Sequence, residues 1–400
     1  MKEPGEAPEE KRTEETPGMR ITKKSSGKRT TKESLGKKRT EERIMTEKKE
    51  ERVRDRVRYI CCAAGVVLTC LVTGCGKTEE NLDIAMQKIQ ELDYQGALED
   101  LAKAQEAGEN VRLVNRARGI AHMGLTEYEE AITDFQAALA GSSGLVENVD
   151  FDLNYYLAAA YTKNGQYGQA EDTYNAILDL RPGEADAYFL RGNVRMSLEN
   201  FEGAKEDFDK VLAMEPKNYD RLIQIYEVLE HFGYREVGQG YLQNALASGG
   251  GQMDAYVSGR IYYYLGEYQK AYLALEEAKE KGGEKSYLYL GRAYEATGDY
   301  NYASSVYNSY LSKYDGSAEI YNQLGLCELA KGEYQKALEA FQAGMQLENS
   351  GMMQTLSFNE IITYEYLGDF ERAKALMDYY VKNYPDDGQA RREYDFLVTR

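Results

Sequence analysis

The six residues Gly266-Glu-Tyr-Gln-Lys-Ala271 return unchanged at Gly332-Glu-Tyr-Gln-Lys-Ala337. Their pattern is a glycine, a polar residue, an aromatic residue, two polar residues and an alanine. Three looser copies keep the glycine, three lack it, and one is degenerate. Successive copies are 32 to 39 residues apart, since their last residues stand at 97, 131, 170, 204, 238, 271, 303, 337 and 373. A period of this length predicts nine copies of one structural unit.

Each unit is predicted to be two antiparallel helices joined at the motif. Apolar residues recur at helical spacing before the motif, as in Tyr155, Leu157, Ala158 and Tyr161. The motif glycine would end the first helix, because glycine adopts the left-handed conformation without steric cost. The motif alanine and a small residue of the first helix would lie where the two helices touch. Those small residues are Gly119, Ala158, Gly192, Gly259, Gly291 and Gly325, and the second helices carry aromatic residues at Phe135, Tyr174, Phe208, Tyr307 and Phe341.

The prolines give an independent indication of where the second helices end. Three of the six prolines lie beyond the first 58 residues, at Pro182, Pro216 and Pro385. Each follows the last residue of a motif copy by twelve positions. Since proline cannot continue a helix, these positions predict the end of the second helix in three units.

The period, the glycine, the aromatic residue, the alanine and the proline together resemble the tetratricopeptide repeat family. The resemblance covers residues 80–385 and implies an all-α solenoid, a right-handed superhelix of about nine helix-turn-helix repeats. Residues 386–400 are interpreted as a C-terminal capping helix. The unit around Gly238 has Arg235 in place of the aromatic residue, and another unit is lengthened within residues 141–150. We expect the superhelix to bend or loosen at these two places. An unrelated helical bundle is the alternative fold.

Residues 1–58 are of a different kind, with 19 Lys and Arg against 13 Asp and Glu. Because large apolar residues are almost missing there, the segment cannot bury a core and is predicted to be disordered. Met45 opens a basic leader of ordinary length. We therefore favour Met45 as the translation start, with Met1 and Met19 as alternatives.

Residues 59–74 are interpreted as the hydrophobic region of a signal peptide. The apolar run is shorter than the roughly 20 residues that a spanning helix needs, and it follows a basic stretch. It ends in Leu71-Val-Thr-Gly-Cys75, which is similar to the lipobox of bacterial lipoproteins. This resemblance implies cleavage before Cys75, a lipid anchor on its sulfur and a linker over 75–79. The predicted location is the extracytoplasmic face of the bacterial cell membrane, with an uncleaved anchor as the alternative.

Neither an active site nor a metal site is predicted. The two histidines, His122 and His231, have no cysteine or carboxylate partner at a metal-ligand spacing that stands out from the acidic background. We therefore expect a non-enzymatic protein without cofactor or metal. Removing the six excess positive charges of residues 1–58 from the whole-chain net charge of −18 leaves −24 on residues 59–400. A surface this acidic repels phosphate, so no nucleic-acid partner is expected.

The first helices of stacked helix pairs line the concave face of a solenoid, and the groove there is the predicted binding site. Arg260 and Arg292 occupy equivalent places in neighbouring repeats. One hypothesis is that they hold a carboxylate of the ligand; the alternative is that each pairs with a nearby acid such as Asp254 or Glu295. The residues predicted to face the groove are Tyr155, Phe189, Asn193, Tyr256, Arg260, Tyr263, Arg292, Asn322, Phe358 and Tyr366.

The function predicted from these features is that of a scaffold. A membrane-anchored lipoprotein would bind a protein or peptide in its groove and assemble an envelope complex. The 35 tyrosines, with no tryptophan, make binding of a cell-wall glycan the alternative. A third interpretation is an enzyme accessory with a hidden site. The sequence leaves the ligand and the oligomeric state open.

The predicted anchor can be tested by replacing Cys75 with serine. We expect the wild type in the membrane fraction, with an intact mass that corresponds to a lipid-bearing chain starting at Cys75. The Cys75→Ser protein should lose this modification, because the thioether to the lipid cannot form. A wild-type chain whose mass includes residues before Cys75 and no lipid would contradict the lipobox interpretation.

Overall fold

The computed structural model describes residues 79–142, 146–249, 252–347, 351–385 and 387–399. The basic segment 1–58, the apolar segment 59–74 and Cys75 lie outside the described residues. None of the helices in the described ranges is both long enough and apolar enough to cross a membrane.

The described residues form eighteen helices and no strand. Helices α1 and α2 belong to one compact unit that ends at Glu109, and α3–α18 belong to a second unit that begins at Asn110. The helices are α1 (Glu80–Gln90), α2 (Tyr94–Glu106), α3 (Val111–Gly124), α4 (Tyr128–Ala140), α5 (Asn148–Lys163), α6 (Tyr167–Leu180), α7 (Ala185–Ser197), α8 (Phe201–Met214), α9 (Tyr219–His231), α10 (Arg235–Gly249), α11 (Ala255–Tyr264), α12 (Tyr268–Ala296), α13 (Tyr300–Leu311), α14 (Ala318–Ala330), α15 (Tyr334–Met345), α16 (Met353–Tyr366), α17 (Phe370–Asn383) and α18 (Gly388–Val398).

The helices alternate as the repeat predicts, and the all-α repeat fold is confirmed. Each motif copy joins a first helix to a second helix, which gives nine pairs over the described residues. Helix α12 contains both the second helix of the sixth repeat and the first helix of the seventh, since Gly283 interrupts it with non-helical angles (φ 62°, ψ −155°). A further helix, α18, lies where the capping helix is predicted, and Asp387 caps it by accepting hydrogen bonds from the backbone N–H groups of Gln389 and Ala390.

Close contact between the two helices of a repeat explains the small residues. A Cβ atom added at Gly119 would lie 2.5 Å from the Phe135 ring, and one added at Gly192 would lie 2.6 Å from the Phe208 ring. Because glycine has no side chain, the first helix leaves space for the aromatic ring of the second helix. The motif alanines are completely buried at the same contact: Ala97, Ala131, Ala170, Ala204, Ala271, Ala303, Ala337 and Ala373.

The turn between the two helices requires a left-handed residue. The motif glycines have φ between 74° and 80° at Gly165, Gly266, Gly298, Gly332 and Gly368. In the three copies without glycine, the same conformation is adopted by Leu92, Thr126 and Glu199, with φ of 63°, 63° and 60°. A side chain in this region crowds its own backbone, so these three positions hold strain that the glycine repeats avoid.

The predicted second-helix ends are also found in the structure. Helices α6, α8 and α17 end at Leu180, Met214 and Asn383, each two residues before a proline. In the degenerate unit, Gly238 is buried against Tyr226. Tyr234, one position before the place that Arg235 holds in the motif, stacks its ring on Phe201 with centroids 4.0 Å apart. The bend expected at the two irregular units stays a prediction.

Thr126 and Gly332 allow a matched test of the turn. We expect Thr126→Gly to raise the free energy of unfolding by about 0.5–1 kcal/mol, because it relieves left-handed strain. Gly332→Ala should lower it by about 1 kcal/mol for the converse reason. Urea denaturation of the two variants measures both changes. A loss of stability in Thr126→Gly would show that the turn is not strained.

Candidate functional site

A groove of about 900 Å³ lies on the first helices of the third, fourth and fifth repeats. These helices are α5, α7 and α9, all within the second compact unit. Its lining residues recur at helical spacing because each helix turns the same face to the groove. They are Asp152, Tyr155, Thr162, Asp186, Phe189, Leu190, Asn193, Ser197, Arg221, Gln224, Glu227, Val228, His231 and Phe232.

Two aromatic rings form the floor of this groove and connect it to the core. Tyr155 contacts the buried ring of Tyr174 edge-on, with centroids 6.3 Å apart. Phe189 lies 6.2 Å from the ring of Phe208, which is the aromatic residue that packs on Gly192. The groove floor therefore rests on the contact that holds the two helices of the fourth repeat together.

Three polar atoms in the groove are buried without a hydrogen-bond partner among the described residues. They are the Tyr155 hydroxyl, Asn193 Oδ1 and Arg221 Nε. Folded proteins pair most buried polar atoms, so unpaired ones at a groove indicate groups that a ligand or water can satisfy. Burial, and secondarily Glu184, raises the pKa of the Tyr155 hydroxyl, which therefore stays neutral and able to donate at neutral pH.

Arg221 is the cation of the groove, and it is already engaged. Its Nη2 donates to Asp186 Oδ1, and its Nη1 donates to Gln224 Oε1 at 3.1 Å. The guanidinium carbon lies 4.3 Å from the centre of the Phe189 ring. The side chain is thus fixed across the floor, and its Nε makes no hydrogen bond and lies 3.9 Å from Glu215 Oε2.

The sequence places Arg260 and Arg292 in the groove as free cations, or paired with Asp254 or Glu295. The structure pairs both arginines, with other acids. Arg260 Nη1 donates to Asp220 Oδ1 at 2.5 Å, and Arg292 Nη2 donates to Glu319 Oε1 at 2.9 Å.

The two acids named in the sequence hypothesis have other roles. Asp254 caps α11 by accepting from backbone N–H groups, and Glu295 accepts from the Tyr307 hydroxyl at 2.7 Å. Each arginine pairs with an acid of a neighbouring repeat, because that acid faces it across the stacked first helices.

Tyr256 and Tyr263 lie in a cluster of aromatic rings next to Arg260. The Arg260 guanidinium carbon lies 5.2 Å from the ring centres of both Tyr256 and Tyr289. Tyr263 contacts Tyr289 edge-on, with centroids 5.6 Å apart. The Tyr264 hydroxyl donates a hydrogen bond to Glu227 Oε1 at 2.6 Å, which links this cluster to the groove lining.

The remaining predicted residues lie in the last two repeats and form no common site with the others. Asn322 is buried and accepts a hydrogen bond from Asn359 Nδ2 at 2.8 Å. Phe358 packs on Tyr380, with ring centroids 5.6 Å apart. Tyr366 is exposed and stacks on Tyr334. Of the ten predicted groove residues, the structure places Tyr155, Phe189 and Asn193 together in the groove.

Sequence reasoning missed the contribution of α9 to the groove. Arg221, Gln224, Val228 and His231 lie on one face of this helix at spacings of three and four. The repeat period could have revealed this face. Glu227 stands 34 residues, or one repeat, after the predicted groove residue Asn193. Within the described part of the chain, no group of three or more His, Cys, Asp or Glu side chains is arranged to hold a metal ion.

Family comparisons agree with this architecture. A family model described as tetratricopeptide repeat matches residues 116–185, 155–220 and 288–346, and a second model with that description matches residues 361–387. The chain is a tetratricopeptide repeat protein. Repeats of this family suggest a protein-interaction scaffold, and such a scaffold is typically not an enzyme.

Similar curated proteins share only a segment with this chain. RNA polymerase II-associated protein 3 of Xenopus tropicalis is 30% identical over 108 residues, which are 27% of this chain and 16% of that protein. The Mus musculus protein of the same name is 26% identical over 150 residues, 38% of this chain and 21% of that protein. The chain thus spans about a fifth or less of the length of these relatives.

Solved structures show similarity at low identity. A tetratricopeptide repeat protein from Parabacteroides merdae is 19% identical, with a TM-score of 0.41, over 70% of this chain and 98% of that one. MamA from Desulfovibrio magneticus is also 19% identical, with a TM-score of 0.37, over 44% of this chain and 96% of that one. At these values the similarity carries no information about a ligand.

Proposed function

We propose that this protein is a lipid-anchored scaffold on the extracytoplasmic face of a bacterial membrane. Its groove on α5, α7 and α9 binds a protein or peptide and thereby helps to assemble an envelope complex. The observation that carries this proposal is the set of buried, unpaired polar atoms of Tyr155, Asn193 and Arg221 beside an apolar floor.

The chemistry of the groove suits a peptide. An extended peptide offers a backbone C=O that can accept from Arg221 Nε and an N–H that can donate to Asn193 Oδ1. Its side chains can contact Phe189 and Val228 on the floor. Since a buried polar atom without a partner costs about 1–3 kcal/mol, pairing these atoms on binding would favour the complex.

Two sequence features support the proposed location. The apolar segment 59–74 and the lipobox-like residues before Cys75 support export and a lipid anchor. An anchor of this kind would hold the repeats close to the membrane, where the protein partners of the groove would be other envelope proteins.

Photocrosslinking in living cells tests the groove. Gln224 lines the groove and is exposed, so replacing it with p-benzoylphenylalanine leaves the core intact. Gln335, an exposed glutamine on the second helix of another repeat, is the matched control position. We expect a covalent adduct with a protein at position 224 and none at position 335, because only the groove is occupied.

The nature of the adduct decides between the candidate ligands. A partner that mass spectrometry identifies as a protein supports the scaffold function. An adduct that a wall-degrading glycosidase releases would favour the glycan alternative. Equal adducts at positions 224 and 335, or adducts at neither position, would contradict the proposed groove.

A further inference from the structure

Ion pairs between neighbouring repeats follow one pattern along the first helices. Five arginines each pair with an acid on the first helix of the next or preceding repeat. In four of the five pairs the arginine side chain is less exposed than the acid; Arg260 is 11% exposed and Asp220 71%, and Arg221 is 17% exposed and Asp186 63%. In the fifth pair both side chains are largely buried, with Arg112 14% and Asp150 13% exposed. The pairs are Arg112–Asp150, Arg116–Asp152, Arg221–Asp186, Arg260–Asp220 and Arg292–Glu319.

Aromatic rings keep these arginines against the protein. Arg116 lies over Tyr156, Arg221 over Phe189, and Arg260 over both Tyr256 and Tyr289. A guanidinium that is stacked on a ring and bonded to a carboxylate is fixed in orientation. The arginines are therefore the inner layer of this face, and the carboxylates are the outer layer that a ligand meets.

Glu227 adds a further carboxylate to the groove lining. It is exposed, lines the groove and accepts a hydrogen bond from the Tyr264 hydroxyl. In the described residues it forms no salt bridge, and the groove lining contains no lysine. The lining thus carries the carboxylates of Asp152, Asp186 and Glu227 against the one guanidinium of Arg221, so its formal charge is negative.

We propose that the groove ligand is a basic peptide segment, in which apolar side chains alternate with Lys or Arg. This inference rests on the proposed peptide-binding function and specifies its partner. The apolar side chains would enter between Phe189 and Val228, and a cationic side chain would pair with Glu227. The net charge of −24 on residues 59–400 would attract such a segment and speed its association.

A basic ligand has the opposite charge to the carboxylate that Arg260 and Arg292 were predicted to hold. A ligand carboxylate would have to displace Asp220 or Glu319 from its arginine and would then face the outer carboxylates. Like charges at such an interface are costly, and they exclude acidic partners. A basic ligand needs no rearrangement, because the exposed carboxylates already face outward.

The test is a selection from a random 12-residue peptide library displayed on phage, carried out on the full chain in detergent. We expect the selected sequences to be enriched in Lys and Arg and depleted in Asp and Glu. The most enriched peptide, labelled with fluorescein, should bind Glu227→Gln about two- to fivefold more weakly than the wild type, as the loss of one exposed ion pair predicts.

Two further variants make the outcomes distinguishable. Glu206→Gln removes the same charge from an exposed site on α8, outside the groove lining, and should leave the affinity unchanged. Val228→Trp fills the apolar floor of the groove without changing charge and should abolish binding.

Selected peptides that are neutral or acidic but fail to bind Val228→Trp would overturn the basic-ligand inference and leave the peptide-binding function intact. Basic peptides that bind Glu227→Gln as well as Glu206→Gln would also overturn it, since their charge would then act unspecifically. Peptides that bind Val228→Trp as tightly as the wild type, or no enrichment at all, would overturn both proposals.

Discussion

The close approach of a glycine on the first helix to an aromatic ring on the second is the contact on which this structure depends. At Gly192 a single added methyl group would lie 2.6 Å from the ring of Phe208, so the two backbones approach as closely as the ring allows. The contact recurs in the second, seventh and eighth repeats, where it likewise fixes the distance between the two helices of the repeat. Interiors packed this tightly do not absorb extra volume without strain.

The groove is a consequence of the same contact. Phe208 packs on Gly192 from one side and on Phe189 from the other, and Phe189 in turn supports the guanidinium of Arg221. The core packing of the fourth repeat therefore determines where the polar atoms of the groove lie. Function on such a scaffold depends on which residues the first helices present, while the motif glycines and alanines maintain the spacing.

The sequence predicts the fold more completely than the site, because the fold depends on contacts within one repeat and the site on contacts between repeats. Residues such as Gly332, Ala337 and Pro182 act within one repeat, so local patterns reveal them. The partners of Arg260 and Arg292 lie one repeat away, and the choice between Asp254 and Asp220 depends on how neighbouring first helices are aligned. The left-handed turns at Thr126 and Glu199 could not be predicted either, since the sequence shows only that the motif glycine is missing there.

Hydrogen exchange on Gly192→Ala tests most directly whether this contact organises the repeats and the groove. The account predicts that amide protection falls in α7 and α8, with a smaller loss in the adjoining α5, α6, α9 and α10, because each repeat is stabilised by its neighbours. Protection in α14–α17 should match the wild type. Unchanged protection in α7 and α8, or an equal loss along the whole chain, would contradict the account.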